Sequence, residues 1–364
     1  MAGPKPLRSI LVVALTLAAL LSVGAVTAVA AGAPPATQPP ASTSPTPAPA
    51  SEVPAEPPVA GRMRLVVQHA HGRPPFAVVG ERIVIAGGVR PYVAGQKVLV
   101  TVYRDGRRVL SKRLGVGIVG NGTGQFQLAY ASPRAGLVSV KAVHVATSQL
   151  GALSAKSPGV RFLGANLGIG ASGRAVRVLQ DGLAALRYEA PVSGRFDEAT
   201  ARAVIAYRKM TGLQRVETVN SRIFGLLQRG AGGFRSRYPG DGNHVEADLS
   251  RQVLVELEPH GRVRRIYTMS SGKPSTPSVV GRFRVYYKTP GTNEKGMVDS
   301  NYFIRGYAIH GYAEVPVYAA SHGCLRIPIP NAAAVFAWVQ SGYPVDVYND
   351  YGGGSHHVSG NAGP

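Results

Sequence analysis

The sequence predicts a multidomain chain, mainly β, with a small helical bundle between two β-rich regions. Three observations lead there. The hydrophobic pattern has period two from about Gly61 to Leu163, changes to intervals of three and four from Val176 to Leu227, and returns to period two after His244. The 364 residues allow two or three domains, each large enough for its own core. Glycine (45 residues) and proline (28) together make about a fifth of the chain, which favours extended, loop-rich structure over helices throughout.

At the amino end, Lys5 and Arg8 precede an uncharged apolar stretch from Ile10 to Gly32. Charge followed by an apolar run is the layout of an export signal, and a run of about 20 residues can cross a bilayer. Ala28-Val29-Ala30 offers a small-residue cleavage site. Residues 1–32 therefore read as a signal peptide or a membrane anchor, and the sequence leaves the two open. Either way, the rest of the chain is expected to work outside the cytoplasm. Residues 33–60, rich in Pro, Ala, Ser and Thr, read as an extended spacer.

Residues 61–163 read as a β-sandwich. Val98 to Tyr103, the turn Arg104-Asp105-Gly106-Arg107 and Val109 to Ser111 form a hairpin signal. Phe126 to Tyr130 and Leu137 to Val143 continue the alternation. Short strands with turns every ten residues or so suit an immunoglobulin-like architecture. His69, His71 and His144 lack the spacing of metal ligands and read as surface or packing residues.

Residues 167–229 read as three helices. Val176, Leu179, Leu183 and Leu186 mark the first, Asp197 begins the second and Gly212-Leu213 ends it, and Ile223, Phe224 and Leu227 suit a third. The pattern Gly170-x-x-Gly173-x-x-Val176-x-x-Leu179-Gln180-x-x-Leu183, then Gly194-x-Phe196-Asp197 and Thr200-x-x-Ala203-Val204, resembles the peptidoglycan-binding type 1 repeat. That resemblance implies binding of wall glycan or stem peptide. Gly230 to Gly242 reads as a glycine-rich hinge, and strands resume in 244–349. Asn331 is expected to cap a helix over Ala332 to Gln340, and residues 350–364 to form a disordered tail.

Composition narrows the function. The net charge of +21 suits anionic partners such as lipid headgroups, wall polymers or acidic glycans, and argues against an acidic, disordered interaction protein. No nucleic-acid motif occurs, so nucleic acid is not an expected partner. The single cysteine, Cys324, excludes a disulfide scaffold and a four-cysteine metal site. No His-Glu-x-x-His or equivalent spacing occurs, so no metal or cofactor is expected.

The chemistry concentrates in Ala308-Ile309-His310-Gly311 and Ser321-His322-Gly323-Cys324-Leu325-Arg326. A thiol that attacks an acyl carbon needs a base within reach and a group to orient that base. His322, two residues from Cys324, lies beside it in an extended segment without aiming at the sulfur, whereas His310 can reach it from a neighbouring strand. His310 is therefore the better general base. Gly323 permits a tight turn that brings amide N–H groups toward a developing oxyanion.

This constellation resembles the L,D-transpeptidase catalytic domain, also called the YkuD domain. The likeness runs from about His244 to Tyr348, with Ser275-Thr276-Pro277, Gly281-x-Phe283 and the Tyr312-to-Tyr318 loop included. It implies a β-sandwich-like fold of mixed sheets with short helices. It also implies that Cys324 attacks the carbonyl preceding the terminal D-alanine of a tetrapeptide stem. D-Alanine would leave, and the thioester would pass to an amine on a neighbouring stem as a 3→3 cross-link. By the same likeness His310 takes the thiol proton, the Gly311 carbonyl orients its imidazole, and His322 shapes the pocket and oxyanion site. Ser321 fixes the motif turn, Arg326 binds a substrate carboxylate or braces the loop, and Tyr318 joins them as a candidate substrate contact. Taken singly, Tyr312, Tyr318 and Trp338 read as core or loop-packing residues rather than substrate platforms. Carbapenem-type inhibitors are expected to trap the thiol. Water as acceptor would make a carboxypeptidase, a protein amine would make a wall-anchoring enzyme, and loss of turnover would leave a wall-binding protein.

Overall fold

The computed structural model describes residues 57–350 and the backbone of residues 356–357. The export or anchor segment 1–32, nearly all of the spacer 33–60 and most of the tail 350–364 lie outside the described residues.

The first region contains β1 (Arg62–Gln68), β2 (Phe76–Val78), β3 (Ile83–Arg90), β4 (Lys97–Arg104), β5 (Arg107–Gly115), β6 (Gly117–Ile118), β7 (Gly124–Tyr130), β8 (Gly136–His144), β9 (Leu153–Lys156) and β10 (Val160–Leu163). They make one sheet in the order β1-β3-β7-β6 and a second in the order β2-β10-β8-β4-β5, with β9 on β8. Alternation decides which side chains turn inward: Phe126, Leu128 and Tyr130 of β7 share a core with Val98, Val100 and Val102 of β4. Asp105 and Gly106, at φ 48° and 78°, make the tight β4–β5 turn.

Three helices follow: α1 (Arg174–Ala185), α2 (Glu198–Met210) and α3 (Ser221–Gln228). The Asp197 carboxylate caps α2 by accepting from the Thr200 amide at 2.8 Å. Val176, Leu179 and Leu183 of α1 pack with Val204 and Tyr207 of α2 and Ile223 of α3. The same cluster continues into Val253, Val255, Leu257 and Ile266 of the carboxy-terminal region. The helices and that region thus share one core.

The glycine-rich segment after α3 is not a hinge. Tyr207 Oη donates to the Ala231 carbonyl at 3.0 Å, and Tyr188 Oη to that of Gly232 at 2.5 Å. Ser236 Oγ and the amides of Arg237 and Tyr238 all donate to the buried Glu246 carboxylate, at 2.6, 2.8 and 3.0 Å. Glycine there lets the backbone lie close to its neighbours: a Cβ on Gly232 would stand 2.6 Å from the Tyr207 ring.

The last region holds β11 (His244–Asp248), β12 (Val253–Glu258), β13 (Arg262–Thr268), β14 (Val279–Arg284), β15 (Tyr287–Thr292), β16 (Val298–Ile304), β17 (Tyr307–Tyr312), β18 (Leu325–Pro328), α4 (Ile329–Trp338), β19 (Pro344–Tyr348) and β20 (His356–His357). The order β13-β12-β11-β19-β14-β20 makes a mixed sheet, with β11–β19 and β14–β20 parallel. A second mixed sheet runs β15-β16-β17-β18, with β17–β18 parallel. Leu254, Tyr267, Phe283, Ile309, Leu325 and Val335 belong to one core here. Helix α4 begins at Ile329 rather than after Asn331, because Pro328 and Pro330 preset φ for the first turn and need no amide there.

Candidate active site

The parallel pairing of β17 and β18 sets the site. Ile309 stands opposite Leu325 and His310 opposite Arg326. Ile309 and Leu325 are fully buried in the core, so His310 and Arg326 project from the other face. Cys324, the residue before β18, continues this register two positions back along the sheet from Arg326. His310 and Cys324 thus fall on one face of the sheet, and no hydrogen bond joins them among the described residues.

The imidazole is fixed by its own chain. His310 Nδ1 lies 2.9 Å from the Gly311 carbonyl, which can only accept, so Nδ1 carries the proton and Nε2 is the basic nitrogen. The His310 ring also meets Tyr312 edge-on, at 5.6 Å between centroids. Burial, aided by the Arg326 charge, pushes the imidazole pKa down to about 4, against the opposing Gly311 hydrogen bond. Burial pushes the Cys324 thiol up, and a hydrogen bond from the Ala308 backbone and the charges of Arg326 and Lys295 only partly offset it. The resting pair is a neutral thiol and a neutral imidazole. Cys324 Sγ rests 3.6 Å from the Gly306 carbonyl.

Ser321 ties the turn: its Oγ donates to the Cys324 carbonyl at 2.6 Å and accepts from the Gly323 amide at 3.0 Å. That second bond engages the Gly323 amide within the turn. Gly323 itself is required, because φ is +119° and a Cβ would stand 2.3 Å from the Tyr307 ring. Arg326 is 9% exposed, and its guanidinium lies 4.0 Å over the Tyr312 ring. No carboxylate among the described residues pairs with it, so its donors are available to an anionic group. Tyr318 is 63% exposed on the loop, open to a ligand. His322 is exposed and has no hydrogen-bond partner among the described residues.

A serine-rich segment cradles this loop; the sequence placed only its Ser275-Thr276-Pro277 in the resemblance, without a role. The Ser271 carbonyl accepts from the amides of Ala320 and Ser321, at 2.8 and 2.9 Å. Ser270 Oγ donates to the Tyr318 carbonyl at 2.7 Å, and its backbone bridges Arg326. Ser278 Oγ donates to the Gly323 carbonyl at 2.7 Å, and Thr276 Oγ1 to that of Ser321 at 3.0 Å. Tyr312, read from sequence as packing, touches both His310 and Arg326. Among the described residues no group of three or more His, Cys, Asp or Glu could hold a metal ion. A cleft of about 430 Å³ opens between His71 and Glu81 of the first region and Asp181 of α1, and none of its lining residues belongs to the Cys324 site.

Comparisons with known proteins match two families along the chain. The family described as "L,D-transpeptidase catalytic domain" (YkuD) matches residues 242–347. The family described as "Putative peptidoglycan binding domain" matches residues 172–217. A solved L,D-transpeptidase from Xylanimonas cellulosilytica is 33% identical, over 50% of this chain and 97% of that one, with a TM-score of 0.46. An L,D-transpeptidase from Stackebrandtia nassauensis is 19% identical, over 50% and 94%, with a TM-score of 0.31. A cysteine-to-serine mutant of the Enterococcus faecium L,D-transpeptidase is 27% identical, over 29% and 50%, with a TM-score of 0.26. No curated protein matches the sequence. Residues 242–347 thus belong to the L,D-transpeptidase catalytic-domain family, and residues 172–217 to the putative peptidoglycan-binding family.

Proposed function

We propose that the chain forms 3→3 cross-links in peptidoglycan through a thioester on Cys324. The observation that carries this reading is the Gly311 carbonyl on His310 Nδ1, which leaves Nε2 as the base on the face that carries the thiol. Nε2 takes the proton as sulfur bonds to the stem carbonyl. The carbon–nitrogen bond to D-alanine then breaks, and the proton goes to the leaving amine. An acceptor amine attacks the thioester, its proton passes to Nε2, and the thiol is restored as the new amide forms. Arg326, stacked on Tyr312, offers its charge to a substrate carboxylate. Ser321 and the Ser270–Ser278 segment hold the nucleophile in place before substrate arrives.

The rest of the chain serves the same polymer in this reading. Residues 1–32 carry the chain out of the cytoplasm or anchor it there, and the spacer sets its distance from the membrane. Residues 61–163 form an immunoglobulin-like spacer module, and the helical bundle of 167–229 grips the wall. The surplus of basic residues favours anionic wall polymers nearby.

The test is an intact-mass measurement on the full chain after incubation with a carbapenem, alongside Cys324→Ala. A gain of one drug mass in the wild type alone is expected. Disaccharide-tetrapeptide should then give a 3→3 dimer with release of D-alanine. No adduct on folded protein overturns the nucleophile. An adduct with tripeptide as the sole product overturns cross-linking in favour of hydrolysis.

A further inference from the structure

We infer that Arg215 and Lys209, both outside the catalytic domain, are positioning residues for the loop that carries the nucleophile. This rests on Cys324 being that nucleophile. Both side chains come from the helical module and end on the catalytic domain. Arg215, in the turn after α2, donates through Nη1 to the Val317 carbonyl at 2.6 Å, and its other terminal nitrogen lies 3.5 Å from the Ser250 carbonyl. Val317 lies in the loop joining the His310 strand to Cys324.

Lys209, near the end of α2, is 3% exposed and has no carboxylate partner among the described residues. Its Nζ reaches the Gln252 carbonyl at 3.0 Å, Thr268 Oγ1 at 2.7 Å and the Met269 carbonyl at 2.8 Å. Burying an amine among uncharged acceptors is costly, and a methionine would fill the same volume more cheaply. What the amine does there is lock the junction that presents the serine cradle. Gln252 is part of that junction: its amide nitrogen donates to Ser271 Oγ at 2.7 Å, and its amide oxygen accepts from the Ser271 N–H at 2.9 Å. Ser271 in turn accepts from Ala320 and Ser321, and Ser321 closes on the Cys324 carbonyl. One residue thus pins the cradle from behind, and the other pins the loop from its far side.

A nucleophile moved by a fraction of a bond length loses rate steeply, on the order of a hundredfold for 1 Å. The experiment measures the rate constant of carbapenem acylation of the full chain, with iodoacetamide alkylation as a second readout of the same thiol. Arg215→Ala should acylate about tenfold to a hundredfold more slowly. Its alkylation, which needs only an open thiol, should stay within about twofold of wild type. Arg215→Lys, which keeps one donor, should recover part of the acylation rate. Lys209→Met is the second arm, and Arg215→Ala decides alone if that variant fails to fold. Acylation of Arg215→Ala at the wild-type rate overturns the inference. So does an equal fall in acylation and alkylation with lowered thermal stability, which marks loss of fold. A wild type that is not acylated at all overturns the nucleophile reading, and this inference falls with it.

Discussion

His310 and Cys324 are both held away from charge, and at residue scale this fixes when the thiol becomes reactive. The imidazole would accept a proton only near pH 4, and the thiol is pushed above its ordinary range. Alkylation of the resting thiol should therefore show one rise, centred above about pH 8.5, with no plateau near neutrality. His310→Gln should leave that curve in place while slowing acylation by about 10²- to 10⁴-fold. Glu256 is a second buried acid with a measurable sign. Burial lifts its carboxyl from 4.5 to about 7, against the Arg264 guanidinium 2.5 Å away. The folded state binds this proton more tightly than the unfolded state, so stability falls as pH rises from about 4.5 to 7 and is level above. Glu256→Gln should gain stability relative to wild type across that window, as thermal unfolding at pH 5 and pH 8 would reveal. The pair His310 and Cys324 was legible because the motif around them is short and dense in unusual residue types. Ser270, Ser271 and Gln252 were not, since serine and glutamine are common and theirs lie some 50 to 70 residues away along the chain.

At the scale of elements, local chemistry made the helices readable. Asp197 was marked by an acidic residue ahead of a periodic run, and its carboxylate accepts from both the amide and the hydroxyl of Thr200, each at 2.8 Å. These bonds hold its pKa below the ordinary value against desolvation. Asp197→Ala should destabilise the protein by about 1 kcal/mol in denaturant unfolding at neutral pH. The difference should shrink as pH falls through the carboxylate range. Helix α4 was misread at its start because proline, which ends helices elsewhere, is welcome in a first turn. The Gly230 to Gly242 stretch was misread for a related reason. Glycine there serves close approach to Tyr207 rather than freedom of motion, and two of the donors to Glu246 are backbone amides that no side-chain pattern announces.

The whole molecule differs from a string of independent domains in where its cores lie. Period-two and helical patterns located each region, yet they could not say that Val253, Val255 and Leu257 turn toward the helices. Side-chain alternation gives two faces without naming what covers each. Each of these fully buried side chains contributes about 1.5–3 kcal/mol through burial. A chain begun at residue 234 would expose them together. It should unfold at lower temperature and give less soluble protein than a chain begun at residue 164, as thermal scans and sedimentation of the two would record. The strapped segment after α3 carries the same logic outward. With Tyr188, Tyr207 and Glu246 gripping it, and with a core shared with Val253, Val255 and Leu257, the helices pack directly onto the catalytic region. A wall strand held by the helices would then meet Cys324 at one fixed offset, so the chain would work as a gauge of spacing between strands rather than as a tether that searches.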